Sequence, residues 1–332
     1  MLSLGQLRPP YQWFRIHLFS VTSLEALATV AHHWLTYAFV VFLGMLWGSF
    51  GNVCIYRWPP TDEFPKGRSV VTPPSHCFVC KANVKWYDNF PLLSYLWLRG
   101  KCRNCKTEFS PRYLIVEALG GVLFGLAWWA AMNHPEFTTF NERLIGFVVY
   151  AGFSFFILIV TFIDLDHMLI LDLVTYPSVV IFYGLSLVLG HVWWHGLVGA
   201  AFGYGIIVAI RTLYYAMRKQ EGMGLGDAKL LAVIGALWGW QGVMVALFGG
   251  SIIGSVIGIA AIIGGKLRGG APNDQEATAD AGDAEAADSD EPVPDGMNFA
   301  IGSVALPFGP FLAAAAMAYT LLHPYFSIQL RH

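Results

Sequence analysis

Apolar runs of about twenty residues, separated by short polar stretches, organise this chain. Runs at 34–53, 113–132, 144–163, 173–190, 194–217, 243–264 and 302–322 have roughly the length a helix needs to cross a bilayer. A run at 230–240 is too short to cross alone, and 230–264 taken whole is too long for one span. The segment "WGWQG" at 238–242 supplies a turn between them. The pattern therefore predicts an all-α polytopic membrane protein with about eight transmembrane helices, the sixth of them short.

Composition agrees with this reading. Of 332 residues, 56% are hydrophobic and 13% charged, against about 25% charged in soluble domains, and mean hydropathy is +0.54. A net charge of −2 gives no reason to expect nucleic acid as a partner. No cleavable signal peptide is expected in the mixed first 33 residues, which contain Pro9 and Pro10.

Lys and Arg are distributed unevenly. Sixteen of the twenty fall on one side of the predicted helices, ten of them between Arg57 and Arg112. The other side holds Arg8, Arg15, Arg143 and Arg331. This bias places the large polar insert in the cytoplasm and both termini outside. The expected organisation is an extracytoplasmic segment at 1–33, a first span at 34–56, a cytoplasmic insert at 57–112 and a transmembrane core at 113–264. An acidic loop at 265–301 and a last span with the C-terminus at 302–332 follow. The loop is rich in Ala and acidic residues and has too few large apolar side chains to build a core, so disorder is expected.

The insert explains four of the five cysteines. "CFVC" (77–80) and "CRNC" (102–105) are two CxxC turns. Each such turn can orient two thiolates on one tetrahedral metal. Cys77, Cys80, Cys102 and Cys105 are thus candidate ligands of a structural zinc, because four thiolates leave no open position. Cys54 is expected to serve packing.

Acidic residues at the edges of spans are uncommon and tend to be functional. "FIDLDHMLILD" brings Asp164, Asp166 and Asp172 to the end of the third span and the start of the fourth. "GMGLGD" brings Asp227 to the mouth of the sixth, with Gly222, Gly224 and Gly226 permitting a tight bend or a close approach. The topology places all four carboxylates on the cytoplasmic side. Two aspartates held close share a proton, one acting as general base on water and the other polarising a carbonyl. Asp227 lies at a helix N-terminus and Asp164 at a helix C-terminus, so the dipole favours Asp227 as base and Asp164 as acid. That effect is worth only about 0.3–1 kcal/mol. Asp172 is read as an N-cap, Asp166 as a solvated loop residue and His167 as interfacial.

Five blocks in this order resemble the bacterial type IV prepilin peptidases, the GxGD-type aspartic proteases of pilus and type II secretion systems. They are "GSFGNVCIYRWP" (48–59), "CFVC" with "NFPLLSYLWLRGKCRNC" (89–105), "FIDLDHMLILD" (162–172), "GMGLGDAKLLA" (222–232) and "LPFGPFLA" (306–313). The pattern departs at Leu171, where the family usually carries proline. The resemblance implies a multi-pass protein of the bacterial inner membrane whose partners are prepilins or pseudopilins and membrane lipid. It implies cleavage after the leader's glycine at the cytoplasmic face, with Asp164 and Asp227 as the catalytic pair. It further implies methylation of the new N-terminus from S-adenosylmethionine, for which "GSFGN" is a candidate site by position alone. The competing classes are a proton-coupled transporter, which would need carboxylates near the bilayer midplane, and a non-catalytic assembly scaffold.

Overall fold

The computed structural model describes residues 33–219, 224–267 and 307–329. Its helices are α1 (Trp34–Arg57), a short α2 (Leu93–Trp97), α3 (Arg112–Met132), α4 (Phe140–His167), α5 (Asp172–Val188), α6 (Trp193–Arg218), α7 (Leu225–Leu267) and α8 (Gly309–Gln329). No strand forms among the described residues, only two isolated antiparallel bridges in the insert. The chain divides into two compact units, 1–251 with 307–332, and 252–306. The described part of the second unit is helical as far as Leu267.

Among the described residues, five helices are long and apolar enough to cross a membrane: α1, α3, α4, α6 and the stretch Leu225–Ala260 of α7. The chain is a membrane protein, and the described residues confirm five of the eight expected spans by length and composition. Helix α5 is apolar and only 17 residues long. The two expected spans at 230–240 and 243–264 are one helical stretch interrupted at Gly239, whose φ of 66° breaks the helix inside "WGWQG". The first arm begins at Leu225, earlier than the apolar run, because Asp227 and Lys229 belong to its opening turn. Residues 302–306, the expected start of the last span, lie outside the described residues, as do 1–32 and most of the acidic loop.

Helix α4 exceeds its expected 144–163 at both ends. Thr139 and Glu142 form a reciprocal capping box that starts it at Phe140. Met168, in the left-handed region at φ 48°, ends it by donating its amide to the Asp164 carbonyl. This helix is the most enclosed span, and the first arm of α7 is also buried, with Ala228, Leu230, Leu231, Val233, Ile234 and Leu237 sealed. The two helices that bear Asp164 and Asp227 are therefore held by protein rather than by lipid.

Small residues set the approach of the spans, as expected where lipid offers no hydrophobic drive for association. Gly44 of α1 faces Gly120 of α3, and Gly199 of α6 faces Gly235 of α7, each so closely that a Cβ would meet backbone. Gly48 lies on the α3 backbone at Val116 and Glu117, and Asn52 donates to the Tyr113 carbonyl at 3.1 Å. The glycines of "GSFGN" are thus spent on packing α1 against its neighbours.

The end of the bundle remote from the aspartates gathers His134, His191, His195 and His323 around Trp238. His134 and His191 stand outside the spans. Burial, reinforced by neighbouring histidines, pulls both down to about 4. An unfolded histidine titrates near 6.5. The unfolded chain therefore binds more protons than the folded one between about pH 6.5 and about pH 4, and stability falls as pH drops through that window. The melting temperature of the detergent-solubilised protein should decrease from pH 7 to pH 4.5. A His134→Gln, His191→Gln double variant should show a smaller decrease, and an identical one would clear these histidines of the effect.

Candidate active site and metal centre

Four helix termini converge where the acidic segments meet. Asp164 occupies the last turn of α4 and is 5% exposed. Gly309 opens α8 beside it, and the Gly309 amide donates to the Asp164 carboxylate. A Cβ on Gly309 would collide with that carboxylate, so only glycine lets α8 begin there. The α4–α5 connection then passes Ile170, buried, whose Cδ1 lies 3.5 Å from where a Gly309 Cβ would be. The same side chain meets Gly226 at 3.1–3.3 Å on the same measure. Ile170 thus spaces the start of α8 from the start of α7. Asp227, next to Gly226, sits in the first turn of α7 and is partly exposed. The charge of Asp164 acts on Asp227.

The structure thus brings together the two aspartates singled out in the sequence, at one set of helix ends. It also removes the dipole distinction between them. Asp164 ends its own helix but lies against the N-terminus of α8, so both carboxylates face a helix N-terminus. Gly226 is needed for close approach to Ile170, whereas Gly224 meets nothing closer than 3.9 Å. Gly222 lies outside the described residues.

The neighbouring acids are engaged differently from expectation. Asp166 lies within α4, not in a loop, and pairs with Arg112 at the start of α3. Arg112 also reaches the Phe162 carbonyl at 3.4 Å and lies over the Phe162 ring. Asp172 is the first residue of α5 and not its cap: Leu171 is the N-cap and makes no side-chain capping bond. Asp172 pairs instead with Lys229 of α7. Leu171 has φ −73° and ψ 129°, an angle pair that proline also adopts. Its substitution for proline therefore leaves the connection with a compatible backbone. Gly309 and Ile170 were not singled out from the sequence as site residues. Gly309 stands inside the quoted "LPFGPFLA", but nothing local announces that its missing side chain makes room for a distant carboxylate.

The two CxxC turns are built alike. In each, the residue after the second cysteine is a lysine with positive φ, Lys81 at 55° and Lys106 at 61°. The amides of Lys81 and Lys106 donate to the Cys77 and Cys102 carbonyls at 2.8 and 3.1 Å. The amides of Cys77 and Cys102 donate to the carbonyls of Ala82 and Thr107 at 2.9 and 2.8 Å. All four sulfurs lie within 4.8 Å of one another, with Cys77–Cys105 at 3.7 Å and Cys80–Cys102 at 3.9 Å. A tetrahedron with Zn–S arms of about 2.3 Å has edges of about 3.8 Å, so the sulfurs fit a metal such as zinc. Hydrogen bonds from the Thr107 hydroxyl and amide pull the Cys105 thiol down to about 6, favouring the thiolate a metal requires. Arg103, inside the second turn, grips Asp88 through Nε at 2.7 Å and through Nη2. The purified protein should carry one zinc per chain by elemental analysis. Cys102→Ser should bring zinc close to zero and lower the melting temperature, and a zinc-free wild type of unchanged stability would exclude the metal.

The model of the bacterial peptidase A24 N-terminal domain matches residues 42–131, and that of the type IV leader peptidase family matches residues 151–259. Relatives named prepilin leader peptidase/N-methyltransferase align over most of their length. That of Aeromonas salmonicida is 33% identical over 252 residues, covering 69% of this chain and 82% of the relative. That of Neisseria gonorrhoeae is 35% identical over 236 residues, 65% and 79% of the two chains. That of Myxococcus xanthus is 30% identical over 321 residues, 87% and 91%. No solved structure matches this chain. The second matched region contains both aspartates and the first contains all four clustered cysteines, and with relatives aligned across both, the chain belongs to the type IV leader peptidase family of membrane peptidases.

Proposed function

We propose that this protein is an aspartic endopeptidase of the bacterial inner membrane that removes the leader of type IV prepilins or pseudopilins, cutting after the leader's glycine at the cytoplasmic face. The observation that carries the reading is the meeting of Asp164 and Asp227 at one set of helix ends. The pair holds one proton between them, since two ionised carboxyls so placed repel. The ionised carboxylate removes a proton from water as the oxygen attacks the scissile carbonyl carbon. The protonated partner supports the carbonyl oxygen as charge develops there. Collapse of the tetrahedral intermediate breaks the C–N bond, and the departing amine takes up a proton.

Position suits a substrate with a short polar leader followed by an apolar helix. The helix lies in the bilayer beside the spans, and the bond between the two parts falls at the level of the aspartates. The bias of basic residues supports the cytoplasmic side. Asp166 and Asp172 are each neutralised by a cation of the chain, Arg112 and Lys229. They are therefore weak candidates for holding a basic leader.

The relatives' names also support a second activity, methylation of the new N-terminal amine by S-adenosylmethionine. The "GSFGN" segment does not fit that cofactor, because helix packing fills the space beside its glycines. Structural zinc held by Cys77, Cys80, Cys102 and Cys105 would order the insert and supplies no open coordination position for chemistry. A proton-coupled transporter is disfavoured by the carboxylates' position at helix ends rather than midway along them.

The test is incubation of the purified protein with a prepilin, reading cleavage and a 14 Da mass gain by mass spectrometry. Asp164→Asn and Asp227→Asn should each lower cleavage by about 10²–10⁴-fold or more with zinc content and expression preserved. Cleavage at the normal rate by either variant would remove that residue from catalysis, and cleavage by neither wild type nor variant would favour a scaffold. Gly309→Ala should reduce cleavage by on the order of 10²-fold by displacing the Asp164 carboxylate. Gly152→Ala, on α4 with open space around it, should leave the rate unchanged. Equal rates for these two variants would show that the Asp164–Gly309 contact is dispensable.

A further inference from the structure

The insert between α1 and α3 reaches down along the spans. Phe90 stacks on Phe42 of α1 with ring centroids 5.3 Å apart. Phe42 lies fifteen residues before Arg57, about 22 Å along the helix axis. Two residues on, the Leu92 amide donates to a Glu117 carboxylate oxygen at 2.8 Å. Glu117 is five residues into α3, about 7.5 Å from its start. Phe90 and Leu92 therefore lie against two membrane-spanning helices, below the level of Arg57 and Arg112, and residues 93–97 continue directly from them.

Their backbone suits that depth. Irregular chain survives away from water only where its polar groups are satisfied. Pro91 has no N–H. The amides of Leu93, Ser94, Leu96 and Leu98 donate to the carbonyls of Pro91, Phe90, Leu92 and Ser94 at 2.6–3.0 Å. The Ser94 hydroxyl turns back on the Phe90 carbonyl at 2.7 Å. Leu92 has positive φ, 56°, and without Glu117 its amide would be stranded. An acid inside an apolar span thus gains a structural task.

The outward face of this segment is apolar. Leu93, Leu96 and Trp97 are 59%, 62% and 84% exposed. Exposed Arg99 and Lys106 follow, with no ion pair among the described residues. Apolar side chains, then tryptophan, then cations is the order in which a segment crosses from hydrocarbon to anionic headgroups.

We propose that residues 90–97 are a re-entrant membrane anchor, seated in phospholipid beside α1 and α3, that fixes the metal-binding insert to the bilayer. The occupant of the apolar face is lipid. The face continues the surface of the spanning helices through the Phe42–Phe90 stack, and its flanking cations complement anionic headgroups. The assignment does not depend on peptidase activity.

The full-length protein can be tested in vesicles of phosphatidylethanolamine and phosphatidylglycerol. An environment-sensitive fluorescent amino acid is placed at position 96, and for comparison at position 63, where Glu63 is an exposed charge. Lipids carrying a nitroxide on the acyl chain should quench position 96 several-fold more than position 63, and aqueous iodide should show the reverse order. Retained zinc content certifies that the labelled insert is folded. Glu117→Ala should raise iodide quenching at position 96, with Glu117→Gln between the two. Iodide access at position 96 equal to that at position 63, with no acyl-chain quenching, would overturn the anchor. Shielding of position 96 that appears only on adding a prepilin's apolar segment would also overturn it and make the face a substrate dock.

Discussion

The contact on which the site depends is the one between Asp164 and the first residue of α8. A carboxylate in the last turn of a buried helix needs a donor, and the donor is the Gly309 amide at the start of a helix 145 residues later in the chain. The bond is possible because Gly309 lacks the Cβ that would fill the space. It anchors the beginning of α8 to the end of α4. Ile170 then bears on both Gly309 and Gly226 and brings the beginning of α7 to the same point. Convergence of the aspartates follows from two glycines and one isoleucine. The ion pairs Asp166–Arg112 and Asp172–Lys229 tie α3 and α5 to the same end of the bundle.

Burial is distributed to match. Spans facing lipid require no internal enclosure, and α6 is only 22% buried over its apolar window, against 61% for α4. Helix α4 is central, and the first arm of α7 is sealed on the residues that follow Asp227. Carboxylates at the ends of enclosed helices are positioned by packing, which is the preorganisation that electrostatic catalysis demands. The break at Gly239 lets this arm end against His195, where any larger residue would strike the imidazole. The second arm is then free of the first arm's direction.

Much of this was legible in sequence because the physics was local. Apolar runs placed the helices α1, α3, α4 and α6 to within about four residues at each end, and repeated CxxC turns gave the cysteine cluster. The capping box Thr139-x-x-Glu142 was equally plain in the sequence, and attention to apolar residues alone placed the start of α4 four residues late. The same bias began the sixth span at 230 rather than Leu225, since Asp227 and Lys229 are polar yet helical. The ion pairs were not legible, because Arg112 and Asp166 are 54 residues apart and only packing brings them together. The dipole argument for separating base from acid treated each aspartate on its own helix. It fails because the helix terminus that matters for Asp164 belongs to a different segment.

The insert and the site are also physically continuous. Arg57, buried at the end of α1, donates to the Ser69 and Pro73 carbonyls at 2.9 and 2.7 Å and so holds the beginning of the insert. The two CxxC turns hold its middle, and the chain leaves through Ser110 and Pro111 into Arg112. That arginine opens α3 and pairs with Asp166, two residues from Asp164. Unfolding the insert would therefore release Arg112 from the position in which it neutralises the carboxylate next to the proposed dyad. The four-cysteine cluster lies far from the two aspartates in sequence, and a metal held by all four thiolates would have no open coordination position. The cluster is nevertheless linked to the aspartate end of the bundle, through the guanidinium of Arg112.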